Sequence, residues 1–210
     1  MRGIFVILIM FSVGLGALMF MGAKSSAMVK GKDIMDVRPE GYPAAYFAGG
    51  CFWCVESEFR AIDGVLFTRS GYMGGDLDDP SYRDITTGKT GHAEVVEVTF
   101  DPQKTDYRML SEFFLAKAHD PTQLNRQGVD VGTQYRSAIF PVDEEQERIA
   151  KEMIEYVDKS KLYAQPIVTT LEPFTKFWEA EEYHQQYYEK YEESNGVPHI
   201  RVMLKKDKKR

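Results

Sequence analysis

Apolar and polar residues alternate in blocks along this chain, and the spacing inside each block predicts its element. Ala44-Ala45-Tyr46-Phe47-Ala48 is a short apolar run cut by Gly49-Gly50, which predicts a strand ending in a turn. From Cys51 to Ile62 the apolar positions are 52, 55, 59 and 62, the spacing of a helix buried on one face, and Asp63-Gly64 closes it. Val65 to Tyr72 predicts a second strand, followed by a Gly-, Asp- and Pro-rich loop to about Gly91 that is too long for a hairpin. His92 to Phe100 alternates as a third strand, and Asp106 to Ala118 is a helix with Leu110, Phe113 and Phe114 inward. A polar loop over 119–134 leads to a strand at Tyr135–Phe140. Asp143 then opens a long helix, with Gln146 placed for a capping box and Ile149, Met153 and Val157 on one face. Pro166–Leu171 predicts a last strand, and Thr175 to about Glu193 an aromatic-rich final helix. Strands and helices intermingle in one α+β or α/β domain without internal repeats.

The N-terminus does not share this pattern. After Met1-Arg2 comes a charge-free apolar run of about 20 residues, long enough to cross a bilayer. One preceding Arg and the small residues Ser25-Ser26-Ala27 fit a signal peptide cleaved after Ala27; an uncleaved anchor fits as well. Either one exports the domain, to a periplasmic or other extracytoplasmic site. Residues 28–43, with Gly31, Pro39, Gly41 and Pro43, read as a linker. The formal net charge of −6 argues against nucleic-acid binding, and the basic end KKDKKR (205–210) reads as a solvated tail.

The chain holds two cysteines, both in GGCFWCVE (49–56). In an oxidising compartment a close pair tends toward a disulfide, yet a bridge over two residues closes too small a loop to stabilise a domain much. At the strand–helix turn, Cys51 meets the N–H groups of a first helical turn, which favour a thiolate. Cys54 lies one turn along, with a Cα separation of about 5–6 Å, inside the window for a disulfide. The pair can therefore cycle between dithiol and disulfide. An inert buried pair is the blander reading, and zinc would need ligands that His92, His119, His184 and His199 do not offer at any recognisable spacing. The strand at 92–100 puts Glu94, Val96, Val98 and Phe100 on one side. Glu94 is then either a desolvated carboxyl fit for general-acid work or an ordinary exposed strand end. With only these residues, a generic exported thiol–disulfide oxidoreductase and a tethered binding domain with a small structural disulfide both stay open.

Five segments narrow the choice: GCFWCVE (50–56), SGYMGG (70–75), PSYRDITTGKTGHAEVVEVTFDP (80–102), HDPTQLNRQGVDVGTQYRSAIF (119–140) and FWEAEEYHQQYYEKY (177–191). Their identity and order resemble the peptide methionine sulfoxide reductase A family over essentially all of 44–195. The resemblance implies an α+β two-layer sandwich on a ferredoxin-like core, with a catalytic domain at 44–195 between the leader (1–27), the linker (28–43) and a basic tail (196–210). It implies reduction of methionine S-sulfoxide, protein-bound and free, in the repair of oxidised proteins. Cys51 matches the nucleophile and Glu94 the acid that protonates the sulfoxide oxygen. Tyr82 and Tyr135 match phenols that hydrogen-bond that oxygen, and Phe52 and Trp53 match the walls around the S-methyl group. Asp130 matches a carboxylate that fixes the substrate main chain or the surroundings of the site. No metal, flavin or nicotinamide motif is visible, so no cofactor is expected. Many family members have Gly where this chain has Cys54 and place a resolving cysteine near the C-terminus. Here no cysteine follows Tyr191, so the resemblance implies a Cys51–Cys54 disulfide reduced by thioredoxin or a similar donor. Val131 is a second departure, at a position where a small polar residue or His is common.

Overall fold

The computed structural model describes residues 34–199. The apolar leader, the start of the linker and residues 200–210 lie outside the described residues. Among the described residues no helix is long and apolar enough to cross a membrane.

Strand β1 (Ala44–Gly49) leads to helix α1 (Phe52–Arg60), then β2 (Val65–Met73), a short helix α2 (Tyr82–Thr86), β3 (Ala93–Phe100) and α3 (Tyr107–Phe113). A two-residue hairpin follows, β4 (Arg126–Gln127) with β5 (Asp130–Val131), and then β6 (Ser137–Ile139) and α4 (Glu144–Lys159). The chain ends with β7 (Thr170–Leu171), β8 (Trp178–Glu179) and α5 (Tyr187–Asn195). The large sheet runs β7-β6-β1-β3-β2-β8. Its middle four strands pair antiparallel, and the path β1-α1-β2-β3-α3-β6 is the split βαβ arrangement of a ferredoxin-like core. The expected α+β sandwich is the observed one.

Alternation along β3 holds on both faces. Val96, Val98 and Phe100 join Phe52, Val55 and Phe59 of α1, Leu110 of α3 and Met153 and Val157 of α4 in the main core. Phe47 stands at its centre, its ring 4.9 Å from those of Phe59 and Phe114. Ala93 and Val95 point the other way, into a smaller cluster with Tyr46, Met73 and Phe140 that Phe177 covers. Each aromatic side chain buried this way contributes about 2 kcal/mol or more. The described part of the expected linker lies against the domain: Met35 N–H donates to the Leu66 carbonyl, and Arg38 pairs with the buried Glu97.

Several predicted elements change form. The long loop after β2 contains α2, capped by Ser81 and Asp84 reciprocally, a capping box that a glycine-rich context hides. The helix from Asp106 widens into a π-turn at Phe114–Ala118. Tyr135 belongs to a single 3-10 turn (Thr133–Tyr135) instead of the strand after it. Asp143 caps α4 as expected, but the Gln146 side chain accepts from Val142 N–H, one residue before the cap. The predicted final helix breaks: Trp178 pairs with Tyr72 as a strand, and Gln186 takes a left-handed conformation before α5 starts.

Candidate active site

Cys51 is the residue before α1, and the two glycines ahead of it are both required there. A Cβ on Gly49 would lie 2.8 Å from the Phe114 ring and 2.9 Å from the His119 ring. Gly50 has φ +98°, and a side chain there would run into Gln127. Gln127 itself bridges Asp120 through both its amide atoms, accepting from the N–H and donating to the carbonyl. That bridge sets the β4–β5 hairpin, and with it Asp130, beside the start of α1.

Glu94 opens β3 directly beneath. It is 2% exposed, and one carboxylate oxygen accepts from Phe52 N–H at 3.0 Å. Burial pushes its carboxyl up to about 8; that N–H bond opposes the shift, while the charges of Asp130 and Cys54 add to it. Glu94 is thus a carboxylic acid that keeps its proton near neutrality, and the exposed-strand-end reading is excluded. The Tyr82 phenol is raised to about 12 by burial and by the charges of Glu94 and Cys51, and Tyr135 donates a hydrogen bond to its oxygen. Tyr135 is raised too, by burial and then by Glu94. Burial also raises Asp130. Cys51, Glu94, Tyr82, Asp130 and Tyr135 therefore share one electrostatic site although they come from four separate segments.

The expectation that the helix terminus alone would make Cys51 a ready thiolate does not hold. Its thiol is held well above the ordinary cysteine range, first by its hydrogen bond with Cys54, then by burial and by the negative charge available on Glu94. Only the Cys54 N–H opposes this. Against the Cys54 hydrogen bond, burial and the Glu94 carboxyl together, the partial charge of one helix end is outweighed. The two sulfurs are adjacent and neither is in a disulfide.

The aromatic side of the site is held by residues that the sequence did not single out. Phe52 is buried against Tyr72, Tyr82 and His184. Trp53 Nε1 donates to His184 Nδ1 at 3.0 Å, and the indole stacks on Tyr187 at 3.8 Å between centroids. Glu181 accepts from the Tyr72 hydroxyl and from Tyr82 N–H. Burial alone would raise this carboxylate, yet these hydrogen bonds hold it below its ordinary value. Glu181 and His184 lie in the segment FWEAEEYHQQYYEKY, but no pattern in it says which acid or which ring turns inward.

A second buried carboxyl, Glu56, follows Cys54 by two residues on α1. Burial raises it to about 7, against the effects of Arg60, Gln186 N–H, Thr68 and Ser70. Glu56 and Glu94 have folded values above the ordinary 4.5, so the folded protein binds more protons than the unfolded chain between about pH 4.5 and 8. Stability therefore falls as pH rises through that window, by up to about 1.4 kcal/mol per pH unit for each group. Thermal melts from pH 8.5 down to pH 5 should show Tm rising on acidification. Glu94→Gln should flatten the upper part of the slope, and an unchanged slope in that variant would contradict the assignment.

Among the described residues no group of three or more His, Cys, Asp or Glu is placed to hold a metal ion. His119 is occupied by the Phe114 carbonyl and Ser137, and His92 by Gly75 N–H and the Leu77 carbonyl.

A family model described as "Peptide methionine sulfoxide reductase" matches residues 43–210. A relative from Methanothermobacter thermautotrophicus, named peptide methionine sulfoxide reductase MsrA, is 56% identical over 149 residues, 71% of this chain and 88% of its own. The reduced form of Mxr1 from Saccharomyces cerevisiae superposes with a TM-score of 0.69 at 30% identity, over 80% of this chain and 94% of that one. A structure of Mxr1 in complex with Trx2 shares the fold at 23% identity and a TM-score of 0.51, over 73% of this chain and 91% of that one.

Proposed function

This chain belongs to the peptide methionine sulfoxide reductase family, and from that premise we propose how its own residues carry the reaction. The protein is an oxidoreductase that reduces methionine sulfoxide to methionine and so repairs oxidised proteins. In the proposed mechanism the S-sulfoxide enters with its methyl group between Phe52 and Trp53 and its oxygen toward Tyr82, Tyr135 and Glu94. Cys51 Sγ attacks the sulfoxide sulfur while Glu94 gives its proton to the departing oxygen. The protonated oxygen then passes from the substrate sulfur to Cys51 Sγ, the substrate S–O bond and the transient S–S bond both break, the thioether leaves, and Cys51 remains as a sulfenic acid with Glu94 as a carboxylate. One sulfur is reduced by two electrons and the other oxidised by two. Cys54 then attacks Cys51, water leaves, and a 51–54 disulfide remains for a dithiol donor such as thioredoxin.

The observation that best supports this reading is Glu94: a carboxyl at about 8, hydrogen-bonded to the residue after the nucleophile, under two phenols. A raised Cys51 thiol fits the same scheme, because Cys51 and Glu94 then titrate as a pair that gives up one proton while the other is kept for the sulfoxide oxygen. Asp130 sits on the hairpin at the edge of this group, where it can orient the substrate's main chain. Exposed Val131 next to it changes only the rim.

The apolar run before the domain supports export, with the segment either cleaved after Ala27 or kept as a tether. The donor outside the cytoplasm is then a thioredoxin-like dithiol protein. Intact-mass spectrometry of the native protein after one equivalent of S-sulfoxide reads both points. The expected product is two hydrogens lighter than the reduced chain, with peptides 51 and 54 linked, and its mass gives the first residue of the mature protein. Cys54→Ser should release one equivalent of methionine and stop as a sulfenic acid. Full-rate turnover of that variant with thioredoxin would reject Cys54 as the resolving residue.

A further inference from the structure

Cys54 Sγ has a phenol within hydrogen-bond distance. Cys54 is the third residue of α1, and its N–H is already used on the Cys51 carbonyl at 3.0 Å. An attacking thiolate in a half-buried place is stabilised by a hydrogen-bond donor. The Tyr188 hydroxyl is 3.2 Å from Cys54 Sγ, and Tyr188 is only 6% exposed.

Tyr188 is delivered there by a dedicated joint between α1 and α5. The Trp53 indole stacks on Tyr187. Glu56 accepts from Gln186 N–H at 2.9 Å, and this bond holds Gln186 in its left-handed conformation, φ +51°. Arg60 donates to both carboxylate oxygens of Glu189 at 2.7 Å. Residues 53, 56 and 60 lie on one side of α1, so the three contacts fix the first turn of α5 in both position and rotation. Cys54 Sγ then lies between the Cys51 sulfur, with which it is hydrogen-bonded, and the Tyr188 oxygen.

We propose that Tyr188 is a catalytic residue of the resolving step, its phenol donating a hydrogen bond to Cys54 Sγ while that sulfur attacks oxidised Cys51. The proposal rests on the reading of Cys54 as the resolving cysteine. In the step, the Cys54 S–H and the Cys51 S–O bonds break and the S–S bond forms. The Cys54 proton and the leaving hydroxide depart as water, and the sulfenic sulfur of Cys51 is the oxidant. Tyr188 is unchanged at the end; it stabilises the thiolate in passing.

The test is rapid quench of the reduced full-length protein with one equivalent of methionine S-sulfoxide, following methionine release and 51–54 disulfide separately. Tyr188→Phe keeps the ring and removes the oxygen. Methionine release should stay at the unsubstituted rate, which also reports that the variant is folded. Disulfide formation should slow by about tenfold. Its pH dependence should move to higher pH by about one unit, and dimedone should trap more sulfenic acid. Equal disulfide rates in the two proteins would overturn the proposal. Equal slowing of both steps would also overturn it, because the hydroxyl would then be only structural. If the unsubstituted protein forms no 51–54 disulfide, the resolving role of Cys54 fails, and Tyr188 has no step to serve.

Discussion

Glu94→Gln is expected to slow methionine release roughly a hundredfold to ten-thousandfold, the range that general-acid catalysis supplies. Glutamine keeps the size and can still accept from Phe52 N–H, but it has no proton to give. The pH profile separates this from mere disturbance of the site. Cys51 and Glu94 titrate as a pair in which one proton must leave the sulfur while the other stays on the carboxyl. In the native protein the rate should rise with pH to about 8, as the pair gives up its first proton, and fall when the second goes. In the glutamine variant the alkaline fall should vanish and the small remaining rate should keep climbing. Single-turnover methionine release between pH 6 and 10 measures both limbs. A glutamine variant within a few-fold of the native rate would remove Glu94 from the chemistry.

The largest effect on stability should come from Arg60→Met. Arg60 is 2% exposed; it is shared between Glu189 and Thr68, and it favours the charged form of Glu56. Removing one partner of a buried ion pair leaves an uncompensated charge, at a cost of about 3–5 kcal/mol. For a domain of this size that corresponds to a Tm loss on the order of 10 °C. Adding Glu56→Gln and Glu189→Gln to the same chain should recover much of the loss, because an uncharged site of similar volume is close to neutral. Thermal melts of the single and triple variants decide it. If the triple variant is no more stable than the single one, the loss lies in packing, and the charge argument fails.

The features that could be read from sequence are those that depend on neighbours a few residues away. Periodicity located α1 and β3, and the alternation in β3 put Glu94 in one row with Val96, Val98 and Phe100, leaving its burial open until the resemblance assigned it as the acid. The resemblance supplied Tyr82, Tyr135 and Asp130, which no local pattern distinguishes from other loop residues. What escaped depends on partners about a hundred or more residues distant. Glu181 and His184 serve Tyr82 and Trp53, and Tyr188 meets Cys54. The broken C-terminal helix has the same origin. Phe177, Trp178, Tyr183, Tyr187 and Tyr191 mimic a helical stripe, but pairing of Trp178 with Tyr72 outweighs helix propensity there. The Cys51 thiol differs from expectation because the helix end is visible in sequence, whereas the hydrogen bond to Cys54 and the burial that raise it are set by the folded packing.

Among the described residues the sheet ends at each side with a strand of only two residues, β7 and β8. A longer open edge would present a row of unpaired N–H and C=O groups to any extended chain nearby. A repair enzyme works among oxidised, partly unfolded proteins, whose loose segments are the ones most apt to add to such an edge. With edge strands of only two residues, this sheet offers few such groups for a loose client segment to pair with.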